Sequence, residues 1–285
     1  MKNALKKLFV ISRPVSWPNT AYPFAAGYLV SGGALDLIFV IGTLYFLGPY
    51  NLLMYGVNDV YDYESDIKNP RKGGIEGAVT PKTFHPTILW AAFASNVPFI
   101  IALLVLGSPL SALVLAVVVF FVIAYSLKGL RFKEKPVLDS ITSSMHFVGP
   151  LLFALSLTGL DNNAWLYVAA FFLWGMASHA YGAVQDIIPD REGKLSSIAT
   201  VLGARTTVWF AVVLYAASVV LVALGGGWSI AVALVGLSYV LNILPYASVT
   251  DKTSGQTRPG WRRFIWLNYL TGFVVTMVLI AQAIV

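Results

Sequence analysis

Nine stretches of the chain keep Asp, Glu, Lys and Arg out of their centres: residues 15–33, 37–57, 86–107, 109–127, 138–158, 163–184, 206–225, 227–247 and 264–284. Each approaches the run of about 20 apolar residues that a helix needs to cross a bilayer core of roughly 30 Å. A charge at the centre of such a helix costs about 2.5–3.5 kcal/mol on insertion, so a pattern this clean predicts membrane-spanning helices. Strands are excluded because open edges would leave backbone groups unpaired in lipid, and the ten-residue alternation of an outer-membrane barrel is absent. Charged residues make up 11% of the chain, where a soluble domain carries about 25%. With 285 residues there is no room for a separate soluble domain. The expected fold is all-α, a polytopic membrane bundle of about nine transmembrane helices, and the expected organisation is one integral-membrane domain over residues 1–285.

Orientation follows from the basic residues. All 19 Lys and Arg residues fall before the first stretch or after the second, fourth, sixth and eighth. The opposite connections, at 31–36, 107–108, 158–163 and 225–227, contain none. Sorting of this kind marks the cytoplasmic face. It predicts a cell-membrane protein with its N-terminus inside, its C-terminus outside and no nucleic-acid partner for its +6 charge. Because the N-terminal basic residues lead directly into a full-length span, a cleaved signal peptide is not expected. The chain has no cysteine, which excludes disulfides, thiolate nucleophiles and cysteine-ligated metals.

The acidic residues gather in two cytoplasmic loops. The first opens with Asn58, Asp59, Asp62, Glu64 and Asp66. At 100° per residue Asn51, Tyr55, Asn58, Asp59, Asp62 and Asp66 fall within an arc of roughly 100°, while Glu64 points away. Three carboxylates on one face repel one another, so something positive should sit between them. Hard oxygen donors without His or Cys suit Mg²⁺, which takes one or two carboxylates together with substrate phosphates and water. The second loop opens with Gln185, Asp186, Pro189, Asp190, Arg191, Glu192 and Lys194. A helix that persists this far puts His179, Asp186 and Asp190 on one face, with Pro189 bending it. Both clusters follow even-numbered spans and could therefore serve one anion. An acidic cluster at a helix end is most often a solvated cap. The one-faced arrangement at a membrane mouth, with a second cluster beside it in topology, argues for a site.

Orientation sorting alone accounts for Lys68, Arg71, Lys72, Lys128 and Arg131, and diphosphate contact is the second use open to them. His146 and His179 lie inside spans, where a polar group is a functional candidate by default even though packing is the commoner role.

Asn58, Asp59, Asp62 and Asp66 reproduce the NDxxDxxxD signature of the UbiA-type intramembrane prenyltransferases, which this chain resembles over nearly its whole length. Tyr125 to Lys128 looks like that family's Tyr/Lys element after span four, and Ser197 to Thr200 with Gly203 resembles the stretch after its second motif. The resemblance implies helices around a central cavity capped by the two acidic loops. It also implies Mg²⁺, two ions, held by Asn58, Asp59, Asp62, Asp66, Asp186 and Asp190. Asp59, Asp62, Asp186 and Asp190 would be the catalytic carboxylates, and Lys68, Arg71, Lys72, Tyr125, Lys128 and Lys194 the diphosphate contacts. The second motif departs from the family's usual DxxxD, because Lys194 stands where the last Asp of the Asp190 register would be; the alternative register is Asp186 with Asp190. Within the family, the runs at 12–24, 55–79 and 171–201 are most similar to bacterial lycopene elongases. That likeness implies dimethylallyl diphosphate as donor, lycopene or a similar carotenoid as acceptor and a carotenoid cyclase as a possible downstream partner.

Three rivals stand beside this reading. A family member with an aromatic or quinone-precursor acceptor would need partners for a polar head group, and the spans offer only scattered neutral groups such as Asn51, Asn96, His146, His179, Asn242 and Asn268. A CDP-alcohol phosphotransferase would show an Asp-Gly and an Ala-Arg ahead of its paired Asp residues, an arrangement missing at the first cluster. A cation-coupled transporter would place its carboxylates near the midplane on broken helices rather than at the cytoplasmic mouth.

Overall fold

The computed structural model describes residues 2–67, 79–159 and 164–284. Every regular element among them is an α-helix or a short 3₁₀ turn, with no strand. Seven described helical stretches are long and apolar enough to cross a membrane: Leu37–Tyr61, Lys82–Leu106, Pro109–Ser126, Leu138–Thr158, Ala204–Leu224, Ser229–Tyr246 and Asp251–Gln282. The first and sixth expected spans are also helical, at Pro18–Val30 and Ala164–Val184. The former has only 13 residues with Pro23 inside it, short of a full crossing. The latter is diluted by Ser178, His179 and two glycines, Gly175 and Gly182.

The chain divides into two compact units, residues 1–132 with 145–160 and residues 133–144 with 161–285. Unit 1 holds α1 (Lys2–Ile11), α2 (Pro18–Val30), α3 (Leu37–Leu47), α4 (Pro49–Tyr61), α5 (Tyr63–Asp66), α6 (His85–Leu106) and α7 (Pro109–Ser126), followed by the later part of α8 (Leu138–Thr158). Its core is aromatic: Phe24, Tyr45, Phe46, Tyr50 and Phe153 are fully buried, with ring centroids 4.9–5.9 Å apart in mostly tilted or edge-on pairs. α3 starts on Asp36, whose carboxylate accepts from Phe39 N and from the Tyr28 hydroxyl. Those two donors, the backbone N–H first, hold the Asp36 carboxyl below the ordinary carboxylate range.

The second expected span is broken at Gly48–Pro49, where α3 ends and α4 begins. Pro49 has no N–H and crowds the preceding turn, so nearby carbonyls lose their helical donors. Asn51 compensates: its Nδ2 donates to Phe46 O at 2.8 Å and Leu47 O at 3.1 Å, and the Thr20 hydroxyl adds a 2.7 Å bond to Phe46 O. Pro150 in α8 frees the His146 carbonyl in the same way, and the Tyr50 hydroxyl takes it at 3.0 Å. Polar atoms freed inside lipid must find partners within the protein, and here prolines and their rescuers come paired.

Unit 2 holds the start of α8, then α9 (Ala164–Val184), α10 (Ile187–Glu192), α11 (Ile198–Leu202), α12 (Ala204–Leu224), α13 (Ser229–Ile243) and α14 (Arg258–Ile284). α9 packs most extensively on α12. Small residues let its other neighbours come close: a Cβ at Gly175 would lie 2.4 Å from Ser144 Oγ, and one at Gly182 would lie 2.8 Å from the Trp261 ring.

Candidate functional site

The first acidic turn lies where α4 passes into α5. Asp62 sits between the two helices at φ −98°, ψ 0°. The hydrogen-bond ladder nonetheless continues, with Asp62 N bonded to Asn58 O at 2.9 Å and Asp66 N to Asp62 O at 2.8 Å. Asn58, Asp62 and Asp66 therefore stack one turn apart. Asp59 and Asp66 are buried, whereas Glu64 is exposed and pairs with Lys82, in keeping with its place off the shared face.

The positive charge that this face requires is arginine. Arg13 Nη2 meets Asp59 Oδ1 at 2.7 Å, and its guanidinium lies 4.2 Å from the Tyr55 ring centroid. Its backbone is left-handed, φ 52°, a conformation that costs a non-glycine residue energy and here ends α1 so that the side chain turns towards α4. Arg131 Nη2 stands 3.7 Å from Asp62 Oδ1, and its Nη1 donates to Tyr61 O at 3.4 Å. Asn58 Nδ2 donates to Asp62 Oδ2 at 2.8 Å and to Ser126 Oγ at 3.0 Å, which commits the amide nitrogen within the protein. Tyr125 is half-buried, its ring 5.0 Å from that of His146. Lys128 is exposed just past α7. Lys68, Arg71 and Lys72 lie outside the described residues. In the sequence Arg13 and Arg131 are only orientation markers and Ser126 only part of the Tyr125–Lys128 element, because each reaches the turn from 46 or more residues away.

The second acidic turn, between α9 and α10, shares the dihedrals of the first at its leading Asp but is entered by a tighter bond, Asp186 N to Ala183 O at 3.1 Å. Asp186 therefore lies past the end of α9 and off the His179 face that a continuous helix would give it. Asp186 sits at φ −98°, ψ 0°, and Asp190 N bonds Asp186 O at 2.8 Å. Pro189 was expected to bend the helix. The break comes earlier, at Gln185 and Asp186, because Pro189 cannot donate to the Gln185 carbonyl four residues back. Gln185 is buried with its Oε1 lacking a hydrogen-bond partner. Asp186 and Asp190 thus stand to each other as Asp62 and Asp66 do. Lys194 is exposed in a left-handed turn, φ 58°, beyond Gly193. Arg191 donates to Asp251 Oδ2 and to Thr200 O, both at 2.7 Å, and Asp251 Oδ1 accepts from Ala204 N at 2.7 Å. These contacts lash α10 to the start of α12.

Among the described residues no three His, Asp or Glu side chains form a complete cage for a metal ion. Each turn instead offers one or two carboxylates with an amide beside them. That donor set fits Mg²⁺, which fills its remaining positions with water and substrate phosphate, and does not fit zinc.

The model of the UbiA prenyltransferase family matches residues 20–268. The chain is 48% identical over 285 residues, 99% of either chain, to the lycopene elongase/hydratase of Corynebacterium glutamicum. It is 50% identical over 284 residues, 99% of this chain and 66% of the other, to the C(50) beta-cyclic carotenoids biosynthesis protein LbtBC of Dietzia sp.. Among solved structures, a UbiA homolog from Archaeoglobus fulgidus bound to DMAPP and Mg²⁺ superimposes with a TM-score of 0.63 at 19% identity, over 94% of this chain and 99% of that one.

Proposed function

The chain belongs to the UbiA prenyltransferase family, a multi-pass integral membrane prenyltransferase, and from that premise we propose that it transfers dimethylallyl groups from dimethylallyl diphosphate to the ends of lycopene. The observation behind the donor half is the pair of acidic turns with one backbone geometry, Asp62 to Asp66 and Asp186 to Asp190. The acceptor half is supported by the full-length likeness to a protein named lycopene elongase/hydratase.

In this reading Asn58, Asp59, Asp62 and Asp66 in one turn, and Asp186 and Asp190 in the other, hold two Mg²⁺ ions. Bound Mg²⁺ would supply charge to stabilise the departing diphosphate. Tyr125, Lys128 and Lys194, with Lys68, Arg71 and Lys72, contact the diphosphate oxygens. Arg13 and Arg131 are paired with Asp59 and Asp62 before substrate arrives and fix those carboxylates in place for the reaction. Apolar walls exclude the water that would quench an allylic cation, and the scarcity of charge within the spans favours a hydrocarbon acceptor over one with a charged head. The one-sided Lys and Arg distribution supports a cytoplasmic N-terminus and cytoplasmic acidic loops, an outside C-terminus and residence in the cell membrane. The product leaves as a substrate for carotenoid cyclisation.

Membranes containing the protein, given dimethylallyl diphosphate, Mg²⁺ and lycopene, are expected to release diphosphate and to form a forty-five-carbon product before a fifty-carbon one, since lycopene has two equivalent ends. Prenylation of 4-hydroxybenzoate with no activity on lycopene would overturn the acceptor and leave the prenyltransferase in place.

A further inference from the structure

The first helix, α1, is too short to cross a bilayer, since its ten residues extend about 15 Å. At 100° per residue Ala4, Leu8 and Ile11 fall within an arc of about 60°. This arc faces the protein, with Ile11 fully buried in the unit 1 core and Leu8 packed against that core. Leu5 and Phe9 come next around the helix and are 62% and 54% exposed. Lys6, Val10 and Lys7 occupy the far side, all three exposed. The helix thus has a packed face, an uncovered apolar edge and a basic edge.

Three contacts set α1 level with the ends of the helices it touches in unit 1. Phe9 meets Trp17 edge-on, with ring centroids 5.4 Å apart, and α2 starts directly after Trp17. Lys7 Nζ lies 5.1 Å from the Phe84 ring, in the first turn of the Lys82–Leu106 span. Arg13, two residues past α1, pairs with Asp59 near the end of α4. A Trp at the start of a span marks the boundary between lipid and water, so Phe9 beside it stands at that boundary. Neither Lys6 nor Lys7 has a carboxylate partner among the described residues.

We propose that α1 lies in the plane of the membrane surface and docks unit 1 on anionic lipid headgroups, with Leu5 and Phe9 among the acyl chains and Lys6 and Lys7 at the phosphates. An apolar edge beside a basic edge is the pattern of a helix held at that depth, and exposed lysines next to a leaflet attract its anionic lipids. Charge selects the occupant. A second copy meeting this face two-fold would bring its own Lys6 and Lys7 against these, whereas a phosphate headgroup is complementary to them. The docked helix ends on the left-handed Arg13, so the element that grips the lipid also carries the partner of Asp59.

The chain has no cysteine, so Leu5→Cys and Lys6→Cys each accept a single spin label on the full-length protein in nanodiscs of phosphatidylcholine with phosphatidylglycerol. The Leu5→Cys label is expected to collide with oxygen, which concentrates in lipid, and the Lys6→Cys label with a water-soluble nickel chelate. Both labels meeting only the chelate would overturn the docking, and spin–spin broadening at Leu5→Cys would assign the face to a second copy instead. Replacing part of the phosphatidylcholine by phosphatidylglycerol is expected to raise the melting midpoint of the wild type by about 4 °C. Most of that rise should be lost in the double variant Lys6→Gln, Lys7→Gln. Each protein is compared with itself in the two lipids, so loss of the Lys7–Phe84 contact cancels. An equal rise in both proteins would overturn the assignment of the headgroup contact to Lys6 and Lys7.

Discussion

In unit 1 the cations come to the acidic turn: Arg13 and Arg131 arrive from outside α4 and α5 to pair with Asp59 and Asp62. In unit 2 Arg191, on the turn itself, reaches away from Asp186 and Asp190 to Asp251 and the Thr200 carbonyl. The first Asp of each turn has the same dihedrals, φ −98° and ψ 0°, and its carbonyl accepts from the second Asp's N–H; the turns differ on entry, where Asp62 N bonds four residues back to Asn58 O and Asp186 N three back to Ala183 O. The difference teaches that aspartates four residues apart at a helix end produce the geometry, while the charge environment is imported from elsewhere in the chain. In the first turn Asp59 and Asp62 are paired with arginines, whereas beside the second Arg191 is committed to Asp251 and the Thr200 carbonyl.

The largest effects should come where the turns are alike. Asp62→Ala, Asp66→Ala, Asp186→Ala and Asp190→Ala are each expected to lower turnover by about 10²–10³-fold or more, the scale of losing one preorganised charge-stabilising group, at unchanged membrane levels. Lys194→Asp should bring no gain. Full activity in Asp186→Ala together with a gain in Lys194→Asp would shift the second ligand pair to the later register and break the likeness between the turns.

Arg13→Ala comes next and should separate them. It leaves the Asp59 carboxylate, fully buried at its side chain, without its 2.7 Å partner, and breaking one side of a buried pair costs about 3–5 kcal/mol. Thermal unfolding in detergent should show a clear loss for Arg13→Ala and a smaller one for Arg131→Ala, whose pair is longer and more exposed. Equal, negligible shifts would mean that the first turn is not neutralised by arginine at all.

Both side chains of the Arg191–Asp251 pair are more than a third exposed, so the ion pair itself contributes about 0–1 kcal/mol. Asp251→Ala should cost more than Arg191→Ala, by about 1 kcal/mol, because it also removes the acceptor for Ala204 N at the start of α12. Turnover should fall only a few-fold in either, measured against the Asp190→Ala loss in the same membranes.

Glu64→Ala should change turnover by less than about twofold, since the side chain is exposed and paired with Lys82. A loss as large as that of Asp62→Ala would contradict the separation of Glu64 from the acidic face. Asp36, a carboxylate at the far end of unit 1 from the acidic turn, serves as the control. Its lowered pKa means that its cap on α3 strengthens the fold above the carboxylate range and weakens as pH falls through it. A small fall in melting temperature below about pH 4 should be absent in Asp36→Asn, with turnover unchanged.

Much of the molecule was legible before any coordinates. Long uncharged stretches report helices because lipid penalises both buried charge and unpaired backbone, and all nine predicted stretches are helical where described, seven of them long and apolar enough to cross. The spacing of Asn58, Asp62 and Asp66 reported a shared face because the helical period is local. The Gly48–Pro49 break was written in its residues but was read through as continuous apolar sequence. The bend that Pro189 implies is present, but its place at Gln185–Asp186 follows from the carbonyl four residues before the proline, and there it takes Asp186 off α9.

What the sequence by itself determined is set by neighbours within a turn or two: which segments are helical, and that Asn58, Asp62 and Asp66 share a face. Only the tertiary structure decided that Arg13 belongs to Asp59, that Ser126 holds Asn58, that Asp251 anchors Arg191 and that Asp139 lies at the end of a chain through Ser140 to His179. Those pairings join positions 39 to 68 residues apart, or rest on a backbone turn such as the left-handed Arg13. Hydropathy and charge type specify that a buried carboxylate must be satisfied; packing of distant helices selects which donor does it.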